Sequence, residues 1–117
     1  MSDFIKNVEK ATESMRELFP LTPLQKNEFL SQKYSADVFL KREDLSPVRS
    51  YKIRGAFNSI KKALSEKSGV KNFVCASAGN HAQGVAFVCK YLNIHGYIFM
   101  PVTTPKQKID KTLSFKL

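Results

Sequence analysis

The sequence predicts an α/β protein: a parallel sheet with flanking helices. Three observations predict it. Apolar residues recur at helical spacing in separate stretches, as at Ile53, Ala56, Phe57, Ile60 and Leu64. Two short apolar runs, Phe73–Ala76 and Tyr97–Met100, alternate with helical stretches in the order strand, helix, strand, helix across residues 72–117. That order is a βαβ unit, whose strands run parallel. The polar turn Ser77-Ala78-Gly79-Asn80 sits between the end of a strand and the start of a helix, the edge at which open α/β sheets bind ligands.

The elements follow in order. Phe4, Val8, Ala11, Met15 and Leu18 give an amphipathic helix, ended by Phe19-Pro20-Leu21-Thr22-Pro23-Leu24 because proline cannot continue a helix. A short helix is expected over Glu28–Tyr34. Ala36–Lys41, carrying Val38, Phe39 and Leu40, reads as a buried strand, and Pro47 marks the loop before Lys52. The stripe from Ile53 to Leu64 predicts a helix broken by Gly69. Another helix is expected from about His81 to Asn93, with Ala82, Val85, Ala86, Cys89 and Leu92 facing inward. Thr104 suits a helix N-cap and Pro105 a first helical residue, after which Ile109 and Leu113 begin a stripe. Parallel strands are buried on both faces, so two of them do not complete a sheet. The expectation is therefore the first part of a larger α/β enzyme.

The chain has 117 residues, 43% hydrophobic and 25% charged, which places it among globular rather than disordered or fibrous proteins. No apolar run is long enough to cross a bilayer, and the amino terminus lacks a secretory pattern. Cys75 and Cys89 lie in apolar surroundings without metal-like spacing, as expected of reduced core residues in a cytoplasmic protein. A net charge of +9 raises the alternative of a nucleic-acid-binding module. The lysines are dispersed and no aromatic ladder is interleaved with them, so a solvated basic surface is favoured and no nucleic-acid or membrane partner is expected.

One lysine stands apart. In Ser50-Tyr51-Lys52-Ile53-Arg54-Gly55-Ala56, Lys52 falls where a polar loop turns into a helix. The positive end of a helix dipole disfavours a cation and favours a neutral, nucleophilic amine, the form that makes a Schiff base with an aldehyde cofactor. In the turn at Ser77–His81, backbone N–H groups at a helix start favour an anion. Gly84, one turn further, costs about 1 kcal/mol relative to alanine within a helix, so a close approach is expected there. Glu43 and Asp44 read as partners of Arg42 or Arg54 in a structural salt bridge. Asn80 also suits a helix cap, His81 a locally bonded residue and His95 a surface turn.

Together these segments carry a resemblance. Ser50–Ala56 and Ala76-Ser77-Ala78-Gly79-Asn80-His81-Ala82-Gln83-Gly84-Val85-Ala86 closely resemble the threonine and serine dehydratase family of pyridoxal-phosphate (PLP) enzymes. Thr22-Pro23-Leu24, Leu40–Leu45, Phe99-Met100-Pro101 and Thr104-Pro105-Lys106 extend the match over residues 20 to 112. Several motifs in one order are far more specific than a single pattern.

The resemblance implies a tryptophan-synthase-β-like (fold type II) architecture, with residues 1–117 as the amino-terminal portion of one catalytic domain, truncated here. It implies PLP as cofactor, Lys52 as the residue that carries it and acts as base, and Asn80 as partner of its 3-oxygen. Tyr51 would pack against its ring, and Ser77, Ala78, Gly79, Asn80 and His81 would hold the substrate carboxylate. The implied reaction is dehydration and deamination of L-threonine, or serine, giving 2-oxobutanoate and ammonia from threonine, in a cytoplasmic homo-oligomer of isoleucine biosynthesis. The family's glycine-rich phosphate cradle is missing, since no two of the five glycines are adjacent. Weak cofactor binding and little turnover are therefore expected of the short chain. A non-catalytic remnant that associates with a full-length enzyme is the other alternative.

Overall fold

The computed structural model describes residues 3–115. Helix α1 spans Asp3–Met15, strand β1 Leu24–Lys26, α2 Glu28–Tyr34, β2 Phe39–Lys41, α3 Lys52–Glu66, β3 Asn72–Ala76, α4 Asn80–Tyr91, β4 His95–Phe99 and α5 Lys106–Leu113. A single 3₁₀ turn covers Glu43–Leu45.

Strands β3 and β4 pair in parallel, with Asn72 opposite His95 and Ala76 opposite Phe99, as the βαβ order requires. The inward positions Phe73, Cys75 and Ile98 meet Val85, Val88 and Cys89 of α4. Helix α3 stacks on α4 and α1 on α3, so Met15, Phe19, Val48, Ile53, Ala56, Phe57 and Ile60 continue the same core. Phe57 is wholly buried and meets Tyr91 edge to face at 6.2 Å. The opposite sheet face is bare: Val74, Tyr97 and Phe99 are exposed. The molecule is accordingly a slab 20 Å thick, with a radius of gyration of 16.8 Å. A compact domain of this length has about 13 Å.

Three expectations are corrected. The strand after Ala36 is not buried: it narrows to Phe39–Lys41, with Phe39 and Leu40 exposed, because its partner is a three-residue strand no helix covers. That partner, β1, pairs antiparallel with β2 (Leu24 opposite Lys41) and was too short to leave a periodic signal. Thr104 does not cap α5. Its hydroxyl donates to the Pro101 carbonyl at 2.7 Å, Pro105 has extended ψ, and the helix starts at Lys106. In α1 the stripe is buried only at Met15; Phe4 and Val8 are exposed, and Leu18 lies past the helix end. His95 opens β4, and Asn93, at φ 52°, makes the preceding turn.

Candidate functional site

Lys52 is the first residue of α3 and is exposed, with its Nζ 5.1 Å from the centroid of the Tyr51 ring. Tyr51 is itself exposed, so an amine and an aromatic face stand side by side at the mouth of the helix. The loop before them is tightly tied. The Ser46 hydroxyl donates to the Ser50 carbonyl at 2.9 Å and accepts from the Ser50 N–H at 3.0 Å. The Arg49 N–H reaches the Ser46 carbonyl at 2.8 Å with Arg49 at φ 58°, a left-handed conformation rarely taken by a residue with a Cβ.

Gly84 brings the second motif onto the first. A Cβ at Gly84 would lie 3.2 Å from the Ile53 nitrogen and from the Lys52 carbonyl carbon, and 3.3 Å from the Lys52 oxygen. Only a glycine lets α4 press directly on the backbone that carries the lysine. The close approach expected at Gly84 is thus a helix–helix contact, one turn from Asn80.

The turn at Ser77–His81 is partly spent on itself. The Ser77 N–H bonds to the Phe99 carbonyl at 3.0 Å, and the Gly79 N–H reaches the Ser77 hydroxyl at 3.3 Å. The first-turn N–H groups of α4, at Asn80 and His81, have no acceptor within a helix start. Ser77, Ala78 and Gly79 are half-buried, whereas Asn80 and His81 are exposed. Asn80 is not a side-chain cap: Gly79 holds the cap position and α4 has no side-chain capping bond.

Beneath Lys52 lies a polar network linking three separate motifs. Arg54 grips Glu43 with two parallel bonds of 2.8 Å. The Thr22 hydroxyl donates to the Glu43 carboxylate at 2.5 Å and accepts from Arg54 at 3.2 Å. Lys41 donates to the Thr22 carbonyl, and the Arg54 guanidinium lies 5.1 Å from the Phe19 ring centroid. The Arg54 hydrogen bond is the main cause that holds the Glu43 carboxyl below its usual range; partial burial opposes it, and Thr22 and Lys41 add to the lowering. Asp44 pairs with Arg42 at 2.7 Å on the surface. The expected structural pairing of both carboxylates holds. Thr22 was missed, because a threonine beside a proline reads as a turn residue until the fold places a carboxylate next to it.

Glu43→Gln removes the charge but keeps the shape. It is expected to cost on the order of 1–3 kcal/mol, because the half-buried guanidinium loses its charged partner. A depressed folded pKa means that this stability is present above the ordinary glutamate value of about 4.3 and is lost as pH falls through the lowered value. Urea midpoints at pH 7 should therefore separate the two proteins, and midpoints in acid should converge. A constant gap at all pH values would mean that the carboxylate charge contributes nothing.

The two cysteines are buried and free, and burial raises both thiols above their usual range. Among the described residues there is no cluster of His, Cys, Asp and Glu that could hold a metal ion. No helix there is long and apolar enough to cross a membrane.

These residues fit a phosphorylated aldehyde cofactor. Lys52 offers an accessible primary amine, Tyr51 an adjacent aromatic face, and α4 first-turn N–H donors. One buried side-chain atom, Ser50 Oγ, finds no partner among the described residues and so has a hydrogen bond to give. No sequence signal singled out that hydroxyl.

Comparison with known proteins gives the same picture. A family profile described as "Pyridoxal-phosphate dependent enzyme" matches residues 16–116. The chain is 51% identical over 111 residues to the L-threonine dehydratase biosynthetic IlvA of Bacillus subtilis, covering 95% of this chain and 26% of that protein. The Staphylococcus epidermidis protein of the same name is 52% identical, again with 26% of it covered. The chain thus spans about a quarter of the length of the curated relatives it matches. Among solved structures, processed threonine deaminase isoform 2 from Solanum lycopersicum superposes with a TM-score of 0.81 at 36% identity. It covers 95% of this chain and 31% of that one. Maize serine racemase gives 0.85 at 29% identity, covering 95% and 33%. With the lysine-bearing helix and the Gly84 helix pressed together as the motifs require, and the profile matched almost end to end, the chain belongs to the pyridoxal-phosphate-dependent enzyme family and has its fold type II, α/β architecture.

Proposed function

We propose that this chain supplies the cofactor-bearing lysine and the carboxylate-binding turn of a PLP-dependent threonine ammonia-lyase, with residues 1–117 forming the amino-terminal portion of its catalytic domain. One observation carries the reading: Gly84, in the second motif, rests on the backbone of Lys52, in the first, so amine and turn share one rigid junction.

In this reading Lys52 Nζ holds the aldehyde carbon of PLP. Once the amino acid has displaced it, the freed amine takes the proton from the α-carbon. PLP, when bound, supplies the sink for the electron pair left on that carbon. Asn80 binds the 3-oxygen, and Tyr51 lays its exposed ring beside the cofactor. The turn Ser77, Ala78, Gly79, Asn80 and His81 orients the substrate carboxylate, chiefly through the N–H groups that the turn does not use itself. Loss of the β-hydroxyl gives an enamine, which water converts to a 2-oxo acid and ammonia. L-threonine is the favoured substrate, with 2-oxobutanoate as product, because the most similar curated relatives bear that activity in their names. Two free buried cysteines support a reducing, cytoplasmic setting. The bare apolar face at Val74, Tyr97 and Phe99 supports a protein that does not act as a lone short chain, and the reading includes a homo-oligomer at full length.

Incubation with PLP, borohydride reduction and peptide mass spectrometry test the assignment. The pyridoxyl adduct is expected on Lys52, with substoichiometric occupancy, together with slow ammonia release from threonine that exceeds release from serine. An adduct spread evenly over surface lysines would overturn it.

A further inference from the structure

We infer that the Ser50 hydroxyl is a ligand-holding group, donating its hydrogen bond to an anionic oxygen, phosphate or carboxylate, seated at the amino end of α3. The inference rests on the reading of Lys52 as the cofactor-bearing residue and adds to it a group outside the turn at Ser77–His81.

Four features lead there. Ser50 is 7% exposed, and its Oγ is buried without a hydrogen-bond partner among the described residues. A buried hydroxyl left unpaired carries a desolvation penalty that alanine in the same place would avoid, so its presence asks for an acceptor from outside. The backbone around it is fixed from both sides by the Ser46 hydroxyl, and the left-handed Arg49 is held in the same turn. Ser50 is therefore positioned in advance while its own side chain remains unspent. It leads directly into a helix of 15 residues whose cap residue, Tyr51, makes no side-chain capping bond. The first-turn N–H groups and the dipole of such a helix favour negative charge, and a hydroxyl donates well to an oxyanion. Exposed Lys52, two residues on, adds positive charge to the same mouth.

The experiment compares wild-type protein with Ser50→Ala. Each is titrated with PLP and with pyridoxal, which lacks the phosphate, by absorbance. The PLP-loaded proteins are then titrated with L-threonine, and thermal midpoints are taken without ligand. If the acceptor is the cofactor phosphate, S50A weakens PLP binding about tenfold or more and leaves pyridoxal unchanged. If it is the substrate carboxylate, PLP binding is kept and threonine binding falls by a similar factor. Either result, with a ligand-free midpoint equal to or above that of the wild type, supports the inference. Unchanged binding of both ligands overturns it, as does equal weakening of PLP and pyridoxal. A lowered ligand-free midpoint also overturns it, because the hydroxyl would then have a structural partner. If wild-type protein takes up no PLP at Lys52, the reading of the lysine fails and this inference falls with it. Failure in the S50A comparison alone leaves that reading intact.

Discussion

Lys52→Ala is expected to abolish covalent uptake of PLP while leaving the fold in place. The side chain is exposed at the first position of α3, so its removal opens no cavity. Two small effects on stability oppose each other. Taking a cation out of the first helical turn relieves its conflict with the dipole, by about 0.3–1 kcal/mol. Losing the contact with the Tyr51 ring costs about 0.5–1 kcal/mol. The thermal midpoint of K52A should therefore lie close to that of wild type. Its borohydride-trapped adduct should vanish, and any release of ammonia from threonine should drop by at least about 10²-fold. An adduct of undiminished yield on another side chain of K52A would refute the assignment of the amine, whatever the fate of the activity.

Gly84→Val should be the most damaging substitution near the site for stability. A Cβ at Gly84 already presses at 3.2–3.3 Å on three backbone atoms of Lys52 and Ile53, and backbone cannot swing aside as a side chain can. Valine adds two methyl groups to that contact in a region where Ile53 is wholly buried and Val85 almost so. Overpacking of this kind costs about 1–3 kcal/mol, and it would lift the first turn of α3 away from α4. The urea midpoint should fall, and PLP uptake should fall with it, since the lysine rides on the displaced turn. Gly84→Ala should be milder, because alanine recovers about 1 kcal/mol of helix propensity that offsets part of the clash. A G84V protein as stable as wild type would mean that the two helices are not in contact at the lysine.

The sequence exposed the parts of the fold that repeat. The stripe Ile53, Ala56, Phe57, Ile60 runs along one buried face of α3, as its spacing requires. The alternation of strands with helices yields the parallel pairing of β3 with β4. Elements of two or three residues left no such trace. Strand β1 has three residues, all exposed, and is defined only by hydrogen bonds to β2, a partner 15 positions or so along the chain. The burial expected for Phe39 and Leu40 failed for the same reason: apolar composition reports what a segment favours, whereas burial depends on whether another layer arrives to cover it. Thr104 bonded backward to Pro101 because a hydroxyl accepts whichever local geometry offers the shorter path.

At the site the division is sharper. Residue order alone picked out Lys52 and the turn from Ser77 to His81, since a lysine at a helix start and a glycine-containing turn at a strand end are patterns of neighbours along the chain. It also anticipated that Glu43 would be held by an arginine. Tertiary structure decided that Gly84 rests on the lysine's own backbone, that Thr22 completes the Glu43–Arg54 pair, and that the Ser50 hydroxyl is buried without a partner. Each of these depends on a distance between segments many residues apart, or on solvent excluded by such segments. Local periodicity carries no record of either.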